Sequence, residues 1–312
     1  MDYRLVSFRN EAGKAEPGIL IGERVHRAAA LLAGADVDTS SMLGLLNDWD
    51  RVRPLLAAAD PPARDGRPLA ETRLLAPILY PGAVYCAGAN YWDHMEEMAE
   101  VQRRATGQAP PAFKKPAEPW FFLKTAASSL VGPGAPVRFP RGVRQLDWEA
   151  ELGVVIGRAV RDLPVERAFD AVAGYVIFHD LSARDLMRRE DRAGSPFVFD
   201  WLGQKCFDDA APMGPWITPH EAIGDPHDLA VKLWVNGVLK QDSNSGKMIH
   251  RIDEQIAYLS RRVTLQPGDV IATGTPAGVG HGRGEYLKPG DEVRIDIAHC
   301  GSLVNPIVAA SA

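Results

Sequence analysis

The segment LDWEAELGVVIG, residues 146–157, places two carboxylates, Glu149 and Glu151, two positions apart and then runs into unbroken apolar residues. Such a run reads as a β-strand, and residues two apart on a strand point to the same face. Two like charges beside a buried strand repel each other and lose hydration. A divalent cation compensates both costs; a solvent-exposed face with arginine partners is the other solution. Oxygen-only ligands suit Mg²⁺, Mn²⁺ or Ca²⁺ rather than zinc. A third carboxylate, Asp180, ends a second apolar run, GYVIFHD. The following LSARDLMRR reads as a helix with Ser182 as its N-cap. That helix sets Arg184 one turn from Asp180, where it binds a substrate carboxylate or steadies Asp180.

Other groups could act with this set. His94 and Glu97 stand three apart in NYWDHMEEMAEVQRRATG, which reads as a helix. A carboxylate beside an imidazole fixes its tautomer and makes it a better base, although the same pair is common on exposed helices. Lys124 follows the apolar WFFL, and Lys205 follows WLGQ. Each could aim a compact charge into a pocket or extend to solvent. The glycine-rich ATGTPAGVGHGRG offers hydroxyls of Thr273 and Thr275 and backbone N–H groups to an anion. It lacks the Gly-Lys-Ser/Thr of a P-loop and is followed by a strand, so it is a poor dinucleotide motif. Cys86 reads as a small buried apolar residue, and His179 faces away from Asp180. With no G-x-S-x-G elbow, serine hydrolase chemistry has no support.

The elements around these residues are short. Strands are expected at WFFLK, GYVIFH, LAVKLWVNG, DVIATG and EVRIDI. LQPGDVIATG and LKPGDEVRIDI each set Pro-Gly-Asp before a strand, the signature of a type II turn. Many short strands and few helices argue for an α+β, mostly β, fold. Residues 1–75 read as a small N-terminal α/β domain. In it SMLGLLNDWDRVRPLLAAAD is an amphipathic helix that Pro54 kinks or ends early. DPPARDGRP is the linker to a core over 76–312. Within that core, the helix and the Pro-rich stretch of about 91–119 form a lid.

Composition is that of an ordinary globular chain: 312 residues, 46% hydrophobic and 24% charged, with 29 Gly and 24 Pro. The net charge of −5 and the lack of a basic run argue against nucleic acid. No apolar run approaches a membrane span. The three cysteines, Cys86, Cys206 and Cys300, are scattered, so a reducing compartment, the cytoplasm, is expected.

Taken in order, these motifs resemble the fumarylacetoacetate hydrolase superfamily. They are A-G-A-N-Y-x-x-H at 87–94, F-F-L-K at 121–124, D-W-E-A-E-L-G-V-V-I-G at 147–157, H-D-L-S-A-R-D-L at 179–186 and G-x-K at 203–205. V-N-G at 235–237, P-G-D-V-I-A-T-G-T-P-A-G-V-G at 267–280 and L-K-P-G-D-E-V at 287–293 follow. The resemblance covers about residues 75–308. It implies a mixed β-roll core, a homodimer and a Mg²⁺ or Mn²⁺ site, with Ca²⁺ a possible substitute in a crystal. It assigns Glu149, Glu151 and Asp180 to the metal, and His94 with Glu97 to a water-activating dyad of the acylpyruvase-like members. Lys205 is assigned to support of an enolate, and Tyr91, Lys124, Arg184 and Thr275 to the substrate.

The implied function is metal-dependent C–C hydrolysis of an acylpyruvate-type oxo-carboxylate. Oxaloacetate-type decarboxylation and isomerisation or hydration of an enol or dienoate use the same site, and a non-catalytic metal-binding scaffold is a further alternative. Two departures stand out. Met187 occupies a position where members often carry Gln, and the stretch between His94 and Lys124 is long, as for an enlarged lid and a different substrate.

Overall fold

The apolar run after Glu149 forms the strand Ala150–Ile156, and all seven of its residues are buried. Its neighbour Val172–His179 is buried throughout as well. Two buried faces explain the unbroken apolar composition. Leu152, Val154, Ile156 and Ile177 feed one hydrophobic cluster, whereas Val155, Ala173, Val176 and Phe178 feed another on the opposite face.

The computed structural model describes residues 2–62, 65–108 and 110–310. Among these residues the two strands lie inside a twelve-stranded mixed sheet. Outward on one side come Ala211–Pro219, Tyr3–Arg9, Ala15–Ile21 and Arg24–Arg27; on the other come Val270–Ala272, Val84–Gly88 and Trp120–Lys124. The pairing of Val270–Ala272 with Val84–Gly88 is parallel, and most others are antiparallel. A second, five-stranded sheet is built on Ala230–Val235, Glu292–Ile297 and Gly301–Val308. Its inward side chains, Leu233, Ile295 and Leu303 among them, share the first cluster with Leu152 and Val154. The architecture is the expected mostly β fold with a few helices.

Both Pro-Gly-Asp turns form. Asp269 N–H donates to Gln266 O at 3.0 Å, and Asp291 N–H to Lys288 O at 3.1 Å. Gly268 and Gly290 take φ of 85° and 96°, the left-handed region a type II turn requires.

Strands and helices from the first 75 residues share a sheet and a hydrophobic cluster with later segments. Leu5 pairs with Ile217, and Leu5, Ile19, Leu46 and Leu56 join Val155, Phe178 and Val270 in the second cluster. Two local expectations are corrected. The segment around Pro54 is two helices, Met42–Asn47 and Trp49–Ala58, broken at Asp48; the second continues through Pro54. Burial of Trp49, Val52 and Leu56 along one stripe outweighs the bond Pro54 cannot make. LSARDLMRR is not a helix either. Ser182–Ala183 is a short strand paired with Leu146–Asp147, and one 3₁₀ turn, Arg184–Leu186, follows. The Ser182 hydroxyl donates back to Asp180 O at 3.1 Å, so it caps nothing.

Candidate active site

Strand register assembles the three carboxylates. Ala150 pairs with His179, and Asp180 N–H donates to Glu149 O at 2.9 Å, so Glu149 stands directly across from Asp180. Opposed residues of an antiparallel pair share a face, and Glu151 lies diagonally on it. Oxygen atoms of the three lie within 4.8 Å of one another, and all three residues are buried. His179 is buried but outside this group, and burial, then Lys124, lowers its pKa to about 3.

Three cations meet these acids. Lys205 Nζ donates to Glu149 Oε2 at 2.9 Å and to Asp180 Oδ2 at 2.7 Å. Burial opposes its charge, but Asp180 and Glu149 outweigh burial and keep the ammonium protonated. Arg184 donates to Asp147 Oδ2 at 2.8 Å and also to Glu149 Oε1. Lys124 is committed elsewhere: its three hydrogens go to the carbonyls of Leu181, Lys205 and Ala210 at 2.9, 2.8 and 2.9 Å. Asp180 Oδ1 lies 2.9 Å from the same nitrogen but receives no hydrogen bond.

The donor set fits a hard divalent cation. Four carboxylates, those of Asp147, Glu149, Glu151 and Asp180, face the three cations, leaving one excess negative charge in a buried place. Burial would raise Glu149, but Lys205 and Arg184 hold it below the ordinary carboxylate range. Glu151 receives no hydrogen bond from a cation among the described residues; burial, then Asp180 and Glu149, push it well up against the weaker pull of Lys205. A backbone N–H from Gly274 at 2.8 Å is its one hydrogen bond among the described residues. A divalent ion beside Glu151 and Asp180 Oδ1 would remove this imbalance and leave the centre net positive toward an anionic substrate.

The helix Trp92–Thr106 covers this centre. Its start is fixed by Asn90, whose side-chain amide donates to His250 O at 3.0 Å and Thr273 O at 2.8 Å. His94 Nδ1 lies 3.4 Å from Glu97 Oε2, and both Glu97 oxygens accept from Gly278 N–H, at 3.0 and 3.1 Å. Asp93 accepts from Ser243 Oγ at 2.5 Å and Ala277 N–H at 3.2 Å. The stretch after the helix is held too: Lys115 bonds Glu254 at 2.7 Å, and Phe113 packs edge-on against Trp92.

A cavity of about 260 Å³ opens on the site. His94, Glu149, Glu151, Arg184, Lys205 and Thr275 line it. Asp180 is buried beneath it, and Glu97 stands outside the lining with its oxygens on His94 and Gly278. Tyr91 is wholly buried and Lys124 nearly so, and neither reaches the cavity wall. The hydroxyls of Thr273 and Thr275 donate to Leu152 O and Ala150 O at 2.9 and 3.0 Å, so neither proton is free for an anion.

Sequence reasoning passed over several lining residues. Trp120, Phe122 and Trp201 form an aromatic side of the cavity, and Gln204 presents a buried Oε1 with no partner among the described residues. Asp147 was missed as well; besides Arg184 it accepts from Gly280 N–H at 2.6 Å. The alternation of aromatics in WFF and FDW was the available signal, obscured because such pairs commonly pack in cores.

A buried acidic triad beneath the helix Trp92–Thr106, set in this mixed sheet, defines a candidate divalent-cation centre. The chain belongs to the fumarylacetoacetate hydrolase family: the model of the fumarylacetoacetate (FAA) hydrolase C-terminal domain matches residues 83–308. It is 42% identical over 237 residues to the mitochondrial oxaloacetate tautomerase fahd2 of Xenopus laevis, covering 75% of this chain and 68% of that one. A putative HpcE protein from Mycobacterium smegmatis superposes with a TM-score of 0.80 at 32% identity, over 99% of this chain and 100% of that one. The maleylpyruvate hydrolase of Sphingobium sp. SYK-6, in complex with manganese(II) and pyruvate, superposes at 0.75 and 32% identity over the same shares.

Proposed function

We propose that the protein is a Mg²⁺- or Mn²⁺-dependent hydrolase that cleaves a C–C bond in an acylpyruvate-type oxo-carboxylate. One observation carries this reading: His94, backed by Glu97, lines the same cavity as Glu149, Glu151 and Lys205. A base and an enolate-stabilising centre are the two components that hydrolysis of a β-dicarbonyl needs. Glu149, Glu151 and Asp180 would hold the cation, which when bound supplies Lewis-acid stabilisation of an enolate oxygen.

The chain's own groups do the rest. His94 accepts a proton from water, and Glu97 holds the imidazole in the right tautomer. The hydroxide attacks the acyl carbonyl and the bond to the oxo-acid carbon breaks. The electron pair leaves as an enolate, which Lys205 steadies; protonation then gives pyruvate beside a carboxylate. The docked lid excludes bulk water while this occurs. The manganese and pyruvate bound to the related maleylpyruvate hydrolase support the choice of metal and of the oxo-acid fragment.

A second reading is favoured by the relative named oxaloacetate tautomerase. With no water placed for attack, His94 would move a proton between carbon and oxygen of a 2-oxo acid and break no bond between carbons. Incubation of small acylpyruvates and of oxaloacetate with and without Mn²⁺, with products weighed by mass spectrometry, separates the two. Metal-dependent pyruvate plus a carboxylic acid supports hydrolysis; enol loss without fragments supports tautomerisation and defeats the hydrolase reading.

A homodimer is part of the same proposal. Leu123, Phe197 and Leu202 are large, apolar and exposed on the elements flanking the site, as a surface that meets a second copy would be. Light scattering should give twice the chain mass. We place the protein in the cytoplasm: its three cysteines are unpaired, and among the described residues no helix is long and apolar enough to cross a membrane.

A further inference from the structure

The cavity has two chemically distinct ends. At one end stand the carboxylates with Lys205 and Arg184. The other is walled by Trp120, Phe122, Trp201 and Met187. The rings form one cluster: the centroids of Trp120 and Trp201 lie 4.6 Å apart, and those of Phe122 and Trp201 lie 6.0 Å apart. Yet the cluster is not closed. Trp120 remains 46% exposed and Trp201 37%, so indole surface is left open beside the cavity. Lys205 Nζ lies 4.9 Å from the centre of the Phe122 ring, which joins the apolar wall directly to the charged end.

The backbone is shaped for this wall. Gly88 pairs with Trp120 across the strands, and a Cβ on Gly88 would stand 2.3 Å from Trp120 Cε3. The indole therefore lies down over the strand only because residue 88 has no side chain.

Among the described residues the cations of the lining are Lys205 and Arg184, and their hydrogen bonds run to the carboxylates of the other end. Lys124, whose three hydrogens go to backbone carbonyls, and Arg188, 5.0 Å over the Phe199 ring, are not in the lining. A second carboxylate on the substrate would lose its hydration here without a counter-charge. An aromatic ring would meet flat π-faces and the Met187 thioether. A benzene ring fits a cavity of about 150 Å³, so 260 Å³ also leaves room for an oxo-acid head.

We propose that Trp120, Phe122 and Trp201 form a subsite for an aryl group beyond the scissile bond, which directs the enzyme to aroyl-bearing 2,4-dioxo acids rather than to substrates ending in a second carboxylate. The inference rests on the reading of the triad as an oxo-carboxylate site, and binding tests it apart from turnover.

Mn²⁺-loaded protein is titrated calorimetrically with oxamate, N-phenyloxamate and N-oxalylglycine, which share the oxo-acid mimic and differ in the distal group. N-phenyloxamate should bind about tenfold or more tighter than oxamate, and N-oxalylglycine no tighter than oxamate. Trp201→Ala and Gly88→Ala, the latter displacing the Trp120 ring, should each erase most of the phenyl advantage and leave the oxamate affinity unchanged. Equal affinity for oxamate and N-phenyloxamate, tightest binding of N-oxalylglycine, or a phenyl advantage that survives both substitutions overturns the aryl subsite while the oxo-acid site stands. Failure of all three compounds to bind overturns both. A phenyl advantage without any C–C cleavage of the corresponding phenyl dioxo acid confirms the subsite and defeats the hydrolase reading alone.

Discussion

Lys124 gathers three carbonyls that are remote in sequence, those of Leu181, Lys205 and Ala210, and sets its charge beside Asp180. Replacing it by Met leaves these buried acceptors and Asp180 without their cation. Unfolding in urea should show a loss of about 3–5 kcal/mol; a variant within 1 kcal/mol of the parent would show that the contacts are replaceable. His94 contrasts with it. It lines the cavity and touches none of the three triad carboxylates, so His94→Ala should lower kcat for C–C cleavage by about 10²-fold or more and leave Mn²⁺ affinity intact. Unchanged turnover would remove the dyad from the mechanism. The spacing of Glu149 and Glu151 could be read from the chain because a strand's period is local. The commitment of Lys124 could not, because its partners come from three separate segments that only the folded sheet brings together.

At the scale of elements, the helix Trp92–Thr106, the proposed lid, is held by specific polar contacts. Asp93 accepts from Ser243 and Ala277 and pairs with Lys247 at 3.1 Å, while no residue of the helix is fully buried. An element with little apolar burial opens locally at low cost. Asp93→Ala should therefore raise KM by about tenfold and speed amide hydrogen exchange over 92–106 with little change in Tm. A fall in Tm matching the KM effect would mean that Asp93 serves the fold and not the lid. The helix Trp92–Thr106 could be read from the sequence, being long and ended by Gly107 in the left-handed region. The segment after Asp180 was misread because its helix-forming residues yield to a tertiary demand: Ser182–Ala183 must pair with Leu146–Asp147 to aim Arg184 at Asp147 and Glu149.

A second element-scale feature is acid-sensitive. The Tyr175 hydroxyl and His220 Nδ1 share a hydrogen bond of 2.9 Å, and the imidazole stacks on Phe169 with centroids 5.4 Å apart. Burial lowers the His220 pKa below 6.5. The folded state therefore binds fewer protons than the unfolded state in that range, and stability rises with pH. The contribution is complete above pH 6.5, the unfolded value, and is lost as pH falls through the depressed folded value. Urea midpoints taken from pH 8 downward should decline in this window, less steeply for His220→Gln. Identical slopes would assign the acid sensitivity to other groups.

At the scale of the whole molecule, the two hydrophobic clusters lie on opposite faces of strands that also carry Glu149 and Glu151. The second cluster draws Leu5, Leu46 and Leu56 from the first 75 residues and Val155, Phe178 and Val270 from the rest. Periodicity within each segment could not reveal this shared burial, because the pairing of Leu5 with Ile217 spans most of the chain. Shared burial of that kind couples the two parts, so the chain should unfold in one calorimetric transition. A cation bound by Glu149, Glu151 and Asp180 stabilises only the folded form, by about 2.7 kcal/mol at a free concentration 100 times its Kd. Mn²⁺ should then raise the single transition by several degrees, with hydrogen exchange slowing together over residues 3–9 and 150–156, and Glu151→Gln should abolish the shift. Two transitions, of which Mn²⁺ moved only one, would show that the N-terminal residues fold on their own despite the sheet they share with the site.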